Sequence, residues 1–443
     1  MKQVTFDIKR LGAIRDSSIT LSPMMIFSGE SGLGKSYAAF LVHYLYYVLL
    51  DSDRFLNFFL EQGYDFNEIY KKKEPGKVIL SISAQEVLDW LNKDAVSYIG
   101  YLVGYQNIDG DINIKLPIQE KSFDFIFAQT LEGLEGQEEL YDKIVLKDYS
   151  YSVVSSRNIP TPIPYAALIK AYFRELIFGD MNNITKTFLL PPSRGSLMEV
   201  SERPTFQSGM YEEFFDMKAL LNKPQESVSP LNQVLIECNA RVNNGELKRE
   251  GEKYLYHMRN GATIPLTAAA SSIKELSPLS LLINKFSVKG VSILFEEPEA
   301  HLHPSRQVKL ADLLACIISA GGQLQVTTHS DYLIKRLNNL MNLLPNYRKD
   351  DYEVIGFIFS RPKKELRDFY KQGLLSSKNR EANFVRKLCY TKESSYKLTT
   401  KECPEIKDLK LGENVLFDTL KLHHIAVAAP NETYRLDVQQ YIS

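Results

Sequence analysis

Residues Gly29–Ser36 read GESGLGKS, directly after the apolar run Met24–Phe27 and just before Ala38–Leu50, AAFLVHYLYYVLL. Every fixed position of GxxxxGK[ST] is present, and an apolar strand before with an apolar helix after is the context such a loop requires. The glycines let backbone N–H groups converge on phosphate oxygens, Lys35 reaches the β- and γ-phosphates, and the Ser36 hydroxyl ligates Mg2+. The helix N-terminus adds its dipole. A degenerate, structural loop is the competing reading, since the pattern also occurs by chance. The flanking elements favour a nucleotide site formed by Gly29, Glu30, Ser31, Gly32, Leu33, Gly34, Lys35, Ser36 and Tyr37, with ATP and Mg2+ as ligands.

Such a loop needs an acidic strand end opposite it, and Ile293–Pro304, ILFEEPEAHLHP, supplies one. Val291–Phe295 is a continuous apolar strand whose end carries Glu296 and Glu297. Adjacent carboxylates repel unless a cation or a bound water gives them work. Glu296 is then expected in the Mg2+ shell and Glu297 as the general base that polarises the attacking water. The bland alternative is an exposed acidic turn. Pro304 opens a helix with Leu310, Leu313, Leu314, Ile317 and Ile318 at helical spacing, Gly321-Gly322 ends it, and Gln323–Thr328 is a strand. Strand, helix, strand with short links is the crossover unit of a parallel sheet.

His329 closes that last strand. Alone it reads as a satisfied strand-end residue; after Lys35 and Glu297 it reads as a sensor of the γ-phosphate. His301 and His303 have a spacing that could suggest metal ligands, but no carboxylate–histidine set accompanies them, and a dimer-contact loop fits better.

Composition bounds the remainder. The chain has 443 residues, enough for two or three domains, and a formal net charge of −1 that gives no support to DNA as an obligate ligand. Cys238, Cys316, Cys389 and Cys403 show neither CxxC nor finger spacing, which reads as reduced thiols in a cytoplasmic protein. The start, MKQVTFDIKRLG, is strand-like and not a secretory signal, and the apolar Ala38–Leu50 is too short for a bilayer span.

Residues 3–27 predict an antiparallel pair and a final buried strand; the helix after Ser36 is expected to continue to about Leu60. We expect an N-terminal part of the ATPase core over 1–60, an inserted lobe of strands and helices over 61–183, the second part of the core over 184–345 and a small region over 346–443. Within the lobe, Ala84–Leu91 and Gln137–Asp142 read as helices, DINIKL and KIVLKDYSYSVV as strands. Ile184–Leu190 reads as a core strand ending in PPSRG. A helical stretch over Met210–Asn244, broken near Pro224 and Pro230, and a hairpin follow; Tyr352–Phe359 is a strand.

EEPEAHLHP after a hydrophobic strand, followed by THSDYLI at Thr328–Ile334, resembles the ATPase heads of the SMC/RecF/OLD superfamily. The chain looks most similar to the stand-alone AAA-family ATP-binding proteins of bacterial antiphage defence operons. The resemblance implies an α/β P-loop fold of ABC-head type, with a mixed-sheet core. It also implies an ATP site completed by a second protomer, in a head-to-tail homo-oligomer. Ala270–Lys274 then stands at the signature position, where Ser271 or Ser272 touches the partner's γ-phosphate; Ile273 replaces the family's glycine, and a plain serine helix cap is the alternative. Glu296 replaces the usual aspartate. Gln129 and Gln207 are candidates for the Mg2+-sensing glutamine. Arg194, in a PPSRGSL segment that resembles a strand-end motif of the family, lies either near the nucleotide and dimer seam or in a surface salt bridge.

The function implied is a nucleotide-driven dimerisation switch that controls a separate effector, a nuclease or toxin, since no nuclease motif set follows residue 340. The alternative is a DNA-repair or chromosome-maintenance head that clamps DNA, which would call for a coiled coil or basic track that the sequence does not display.

Overall fold

The computed structural model describes residues 4–29, 31–51, 53–132, 139–155, 161–179, 184–223, 232–251, 253–343, 354–360, 384–391 and 394–398. Strands β1 (Thr5–Leu11) and β2 (Ile14–Thr20) pair antiparallel, and the buried β3 (Met24–Gly29) runs into the glycine loop. Helix α1 (Lys35–Leu50) leaves that loop with Ala38–Tyr46 buried without a break, as expected of a helix enclosed on all faces.

One boundary differs from expectation. The helix stops at Leu50, and α2 (Arg54–Glu61) starts afresh. Asp51 Oδ1 accepts the Asp53 N–H at 2.8 Å, a local turn that competes with helical pairing.

Next come α3 (Phe66–Lys71), β4 (Val78–Ser83) and α4 (Ala84–Val103), the last opened by a capping box of Ser83 and Glu86. β5 (Gly110–Lys115) returns to pair with β1, while β6 (Ser122–Glu132), β7 (Glu139–Leu146) and β8 (Tyr149–Val154) join β4 in an antiparallel sheet ordered β4-β6-β7-β8. The helix expected over Gln137–Asp142 is corrected: from Glu139 the chain is strand, and Gln137 and Glu138 lie outside the described residues. Burial there alternates with period two, placing Asp142, Ile144 and Leu146 inward, and Asp142 sits opposite Gln129. Helix α5 (Ile163–Phe178) carries Pro164 in its first turn, where the missing N–H costs nothing. α4 lies along α1, joined by Tyr44 to Asp94 at 2.8 Å and by the stacked rings of Tyr47 and Tyr98, so residues within 61–183 share a core with the first helix.

The second half supplies β9 (Lys186–Leu190), α6 (Arg194–Glu199), α7 (Gly209–Leu221), α8 (Asn232–Asn243), and β10 (Gly245–Glu250), β11 (Lys253–Met258) and β12 (Thr263–Pro265) as an antiparallel sheet. α9 (Ser271–Lys285), β13 (Val291–Glu296), α10 (Pro304–Ser319), β14 (Gln323–Thr328), α11 (Asp331–Leu343), β15 (Val354–Ser360), β16 (Phe384–Thr391) and β17 (Ser394–Leu398) complete the described chain.

The central sheet is mixed, ordered β17-β16-β15-β3-β14-β13-β9, with β15 through β9 parallel and two antiparallel strands at one edge. Both faces are covered, as a parallel sheet requires. Met25, Phe27, Leu189 and Leu294 point into the cluster around α1, α4 and α5. Met24, Ile26, Phe188, Leu190, Ile293 and Phe295 point into the opposite cluster, around α7 to α11. This is the expected α/β core with a mixed sheet. Register then brings Ser28 beside Thr328, Thr327 beside Glu296, and Phe295 beside Leu190, so four loops leave one edge of the sheet together. Among the described residues no helix is long and apolar enough to cross a membrane.

Candidate functional site

The C-terminal edge of a parallel sheet is where such folds place ligands. Gly29, Gly32 and Gly34 all adopt positive φ, and at Gly34 (φ 98°) an added Cβ would stand 2.6 Å from Ile14 Cγ1, so strain and space both demand glycine. Gly34 precedes the first turn of α1, which has no side-chain cap, leaving its N–H groups for a phosphate. Lys35 is buried and bonds the Gly29 carbonyl at 3.0 Å; Leu33 is buried and anchors the loop. Tyr37 lays its ring on Gly12, in the β1–β2 turn. Glu30 lies outside the described residues.

Across the loop, the Ser36 hydroxyl lies near the Glu296 carboxyl and favours its charged form. Burial pushes that carboxyl up to about 7, Glu297 adds to the rise, and Ser36, Arg194 and Lys35 oppose it. A buried acid next to a hydroxyl, facing a lysine, fits a cation held jointly with phosphate oxygens. Among the described residues no cluster of three His, Cys, Asp or Glu could hold a metal ion.

Glu297 has φ 42°, a left-handed conformation uncommon outside glycine. Its N–H is held by Thr327, by the carbonyl at 3.0 Å and by Oγ1 at 3.2 Å, and its carboxylate reaches His329 Nε2 at 3.7 Å. His329 Nε2 is 3.5 Å from Ser31 Oγ. Ser31, Glu297 and His329, from three different loops, thus meet at the edge of the sheet.

Several neighbours were not legible as site residues. Glu299 Oε1 accepts the His329 N–H at 2.6 Å and fixes the histidine backbone. Gln307 accepts the Ser330 hydroxyl at 2.5 Å and donates to the Leu302 carbonyl at 2.9 Å, tying the turn after β13 to the end of β14. The only sequence signal was that Glu299 lies within EEPEAHLHP and Gln307 shortly after it. His303 accepts the Ser305 N–H at 3.3 Å and caps α10, giving it a structural role beside Pro304. His301 is exposed with φ 60°.

Arg194 corrects one alternative. It is fully buried, so it forms no surface salt bridge. Its guanidinium bonds the carbonyls of Pro191, Glu275, Glu296 and Glu297, and burial draws it down to about 10, against the carboxylates around it.

Ser271 and Ser272 begin α9, but the residue before the helix is Ala270 and no side chain caps it, so the plain serine cap is not formed. Ser272 Oγ accepts from Arg306 at 3.0 Å. No hydrogen bond or ion pair joins these serines to Lys35, Glu297 or His329 among the described residues. Gln129 donates to Asp142 at 2.9 Å within the β6–β7 pair, and Gln207 lies against Gly104 at the end of α4, so both have structural settings. Cys238 and Cys316 are free thiols, buried, with sulfurs 3.6 Å apart.

The glycine loop, the parallel sheet edge and the acidic end of β13 make this a P-loop core of α/β class. Residues 168–334 match the family model described as an AAA ATPase domain; the match holds Glu296, Glu297 and His329 and begins after the glycine loop. No curated protein matches. Among solved structures, the chain is similar to an SmcHead bound to the C-winged helix domain of ScpA (12% identity, 87% of this chain and 97% of that one, TM-score 0.32). It is also similar to the SMC head domain from Thermotoga maritima (11%, 81% and 95%, TM-score 0.30). A third is the Smc head domain with an extended coiled coil bound to the C-terminal domain of ScpA, from Pyrococcus furiosus (12%, 87% and 96%, TM-score 0.37).

Proposed function

We propose that this chain binds and hydrolyses Mg2+-ATP and uses the cycle as a dimerisation switch. The observation that supports it is the convergence of Lys35, Ser36, Glu296, Glu297 and His329 at one sheet edge, from segments spread over some two-thirds of the chain. Phosphates would sit on the N-terminus of α1 with Lys35, and Ser36 and Glu296 would hold Mg2+, which supplies charge neutralisation for the transferring phosphoryl group. Glu297 takes the proton of the attacking water, and His329, shared between Ser31 and Glu297, contacts the γ-phosphate and orients that carboxylate.

The resemblance of EEPEAHLHP and THSDYLI supports the use of Ser271 or Ser272, at the start of α9, in trans, in a head-to-tail pair of protomers with two ATP molecules between them. The opening and closing of that pair would act on a separate effector protein; antiphage defence, in the cytoplasm, is the setting that the resemblance of EEPEAHLHP and THSDYLI suggests.

The test is Glu297→Gln, which keeps shape and removes the base. Phosphate release should fall by about two to four orders of magnitude, and size-exclusion chromatography with light scattering should show a dimer or larger assembly with Mg2+-ATP. A monomer under those conditions would refute the sandwich; wild-type turnover would refute the base.

A further inference from the structure

Arg194 opens α6, outside the glycine loop, and is wholly buried, yet its donors go to an unusual set of acceptors. Nε donates to the Glu275 carbonyl at 2.8 Å, Nη1 to the carbonyls of Glu296 at 2.8 Å and Pro191 at 3.0 Å, and Nη2 to that of Glu297 at 3.3 Å. The guanidinium lies on the Phe295 ring, 4.4 Å from its centroid, and the Glu275 carboxylate is 3.7 Å from Nε. A buried cation persists only where its donors are used, and a planar fork can hold several carbonyls in fixed relation. Here they belong to the Glu296-Glu297 turn, to α9 and to Pro191, just before α6.

The turn needs such a hold. Glu297 keeps a left-handed backbone at φ 42°, held on its N–H side by Thr327 and on its carbonyl side by Arg194. α6 and α9 are also in close approach: a Cβ on Gly195 would meet Glu275 Oε1 at 2.9 Å, Glu275 N at 3.0 Å and Lys274 Cβ at 3.0 Å. Lys274 and Glu199 pair across the same seam at 2.5 Å.

We propose that Arg194 is a positioning residue for hydrolysis: it clamps the turn carrying Glu297 to the first turns of α9, so that the Glu297 carboxylate is in place only while α9 is docked on α6. Because α9 also carries Ser271 and Ser272, displacement of that helix reaches the hydrolytic carboxylate through one side chain. The clamp rests on the reading of Glu297 as the general base.

Two kinds of variant test it in the full chain. Arg194→Met removes the clamp, and Arg194→Lys keeps the charge but not the fork. Gly195→Ala leaves the Arg194 side chain in place and wedges a methyl against α9, 2.9 Å from Glu275 Oε1 and 3.0 Å from Glu275 N. Single-turnover hydrolysis and the affinity for Mg2+ with a fluorescent ATP analogue are measured on each. A misplacement of about an ångström at the reacting group costs about 100-fold in rate, so Arg194→Met and Gly195→Ala should each turn over about 100-fold slower, with nucleotide affinity within about threefold of wild type. Arg194→Lys should recover part of the rate.

Wild-type turnover in Gly195→Ala overturns the clamp, as does an affinity loss as large as the rate loss, which would mark plain structural damage. Where Arg194→Met does not fold, Gly195→Ala decides. Wild-type turnover in Glu297→Gln removes the general-base reading and the clamp together, so the two failures are told apart.

Discussion

Glu296 is expected to make the nucleotide-free protein less stable as pH rises through the slightly acidic range. Its carboxyl is wholly buried at the end of β13 and pushed up from an ordinary 4.5 to about 7, chiefly by burial, with Glu297 adding to the rise. Between those two values the folded chain holds a proton that the unfolded chain has released, so stability falls with rising pH. It is fully present below 4.5, lost progressively up to about 7, and level above. At about 1.4 kcal/mol for each tenfold change in proton affinity, the loss is about 3 kcal/mol. Glu296→Gln keeps the side-chain shape and an acceptor for the Ser36 hydroxyl but does not titrate. Thermal unfolding of both proteins without Mg2+ or nucleotide, at a series of pH values from weakly acidic to weakly alkaline, should show the wild-type midpoint dropping by several degrees relative to the variant. Binding of Mg2+-ATP near neutral pH should release a proton from the wild type, seen as a buffer-dependent heat in calorimetry, and not from Glu296→Gln. Parallel unfolding curves would refute the argument, because they would mean that the carboxyl is no more protonated in the folded state than in the unfolded one.

Other outcomes follow from the same geometry. Lys35→Ala should weaken ATP binding by about 100-fold or more, the loss of a desolvated charge-assisted contact worth about 3 kcal/mol; unchanged affinity in a fluorescence titration would move the site elsewhere. Gly34→Ala, placed at φ 98° with 2.6 Å to Ile14 Cγ1, should cost at least about 2 kcal/mol in denaturant unfolding and weaken nucleotide binding with it. Glu299→Gln keeps an acceptor for the His329 N–H, so hydrolysis should stay within about threefold of wild type, whereas Glu299→Ala should slow it by about tenfold or more by freeing the histidine backbone. Cys238 and Cys316 should resist a thiol reagent in the native protein and react on unfolding; rapid native labelling of both would contradict their burial.

How far the residues foretold the site depends on chain separation. The glycine loop, β13 with its two glutamates and β14 with His329 were readable because each is a contiguous motif with an apolar run beside it. The break at Asp51–Asp53 was not, because it rests on the Asp51 carboxylate accepting the Asp53 N–H, a contact that the apolar pattern does not report. Nor was the first half of β7: ELYD carries good helix formers, whereas KIVL read as strand, and pairing with β6, where Asp142 meets Gln129, carries the strand back to Glu139. The same pairing places Gln129 in the β6–β7 sheet. Arg194, in PPSRGSL, was visible as a residue near the nucleotide and dimer seam or in a surface salt bridge, but not as a buried one. Its burial depends on β9 lying beside β13, which brings Pro191 and Arg194 under the Glu296-Glu297 carbonyls.

Local order along the chain was therefore sufficient for the α/β class and for the phosphate-binding chemistry, since each rests on a hydrophobic period and a short motif whose physics is complete within a few residues. The meeting of Ser31, Glu297 and His329, the Ser36–Glu296 contact and the Arg194 hold on α9 came only with the folded chain. They depend on the strand order β3-β14-β13-β9, which places side by side residues far apart in sequence. Such pairings are decided by which strands share a sheet and which faces they bury, and no single stretch of residues carries that information.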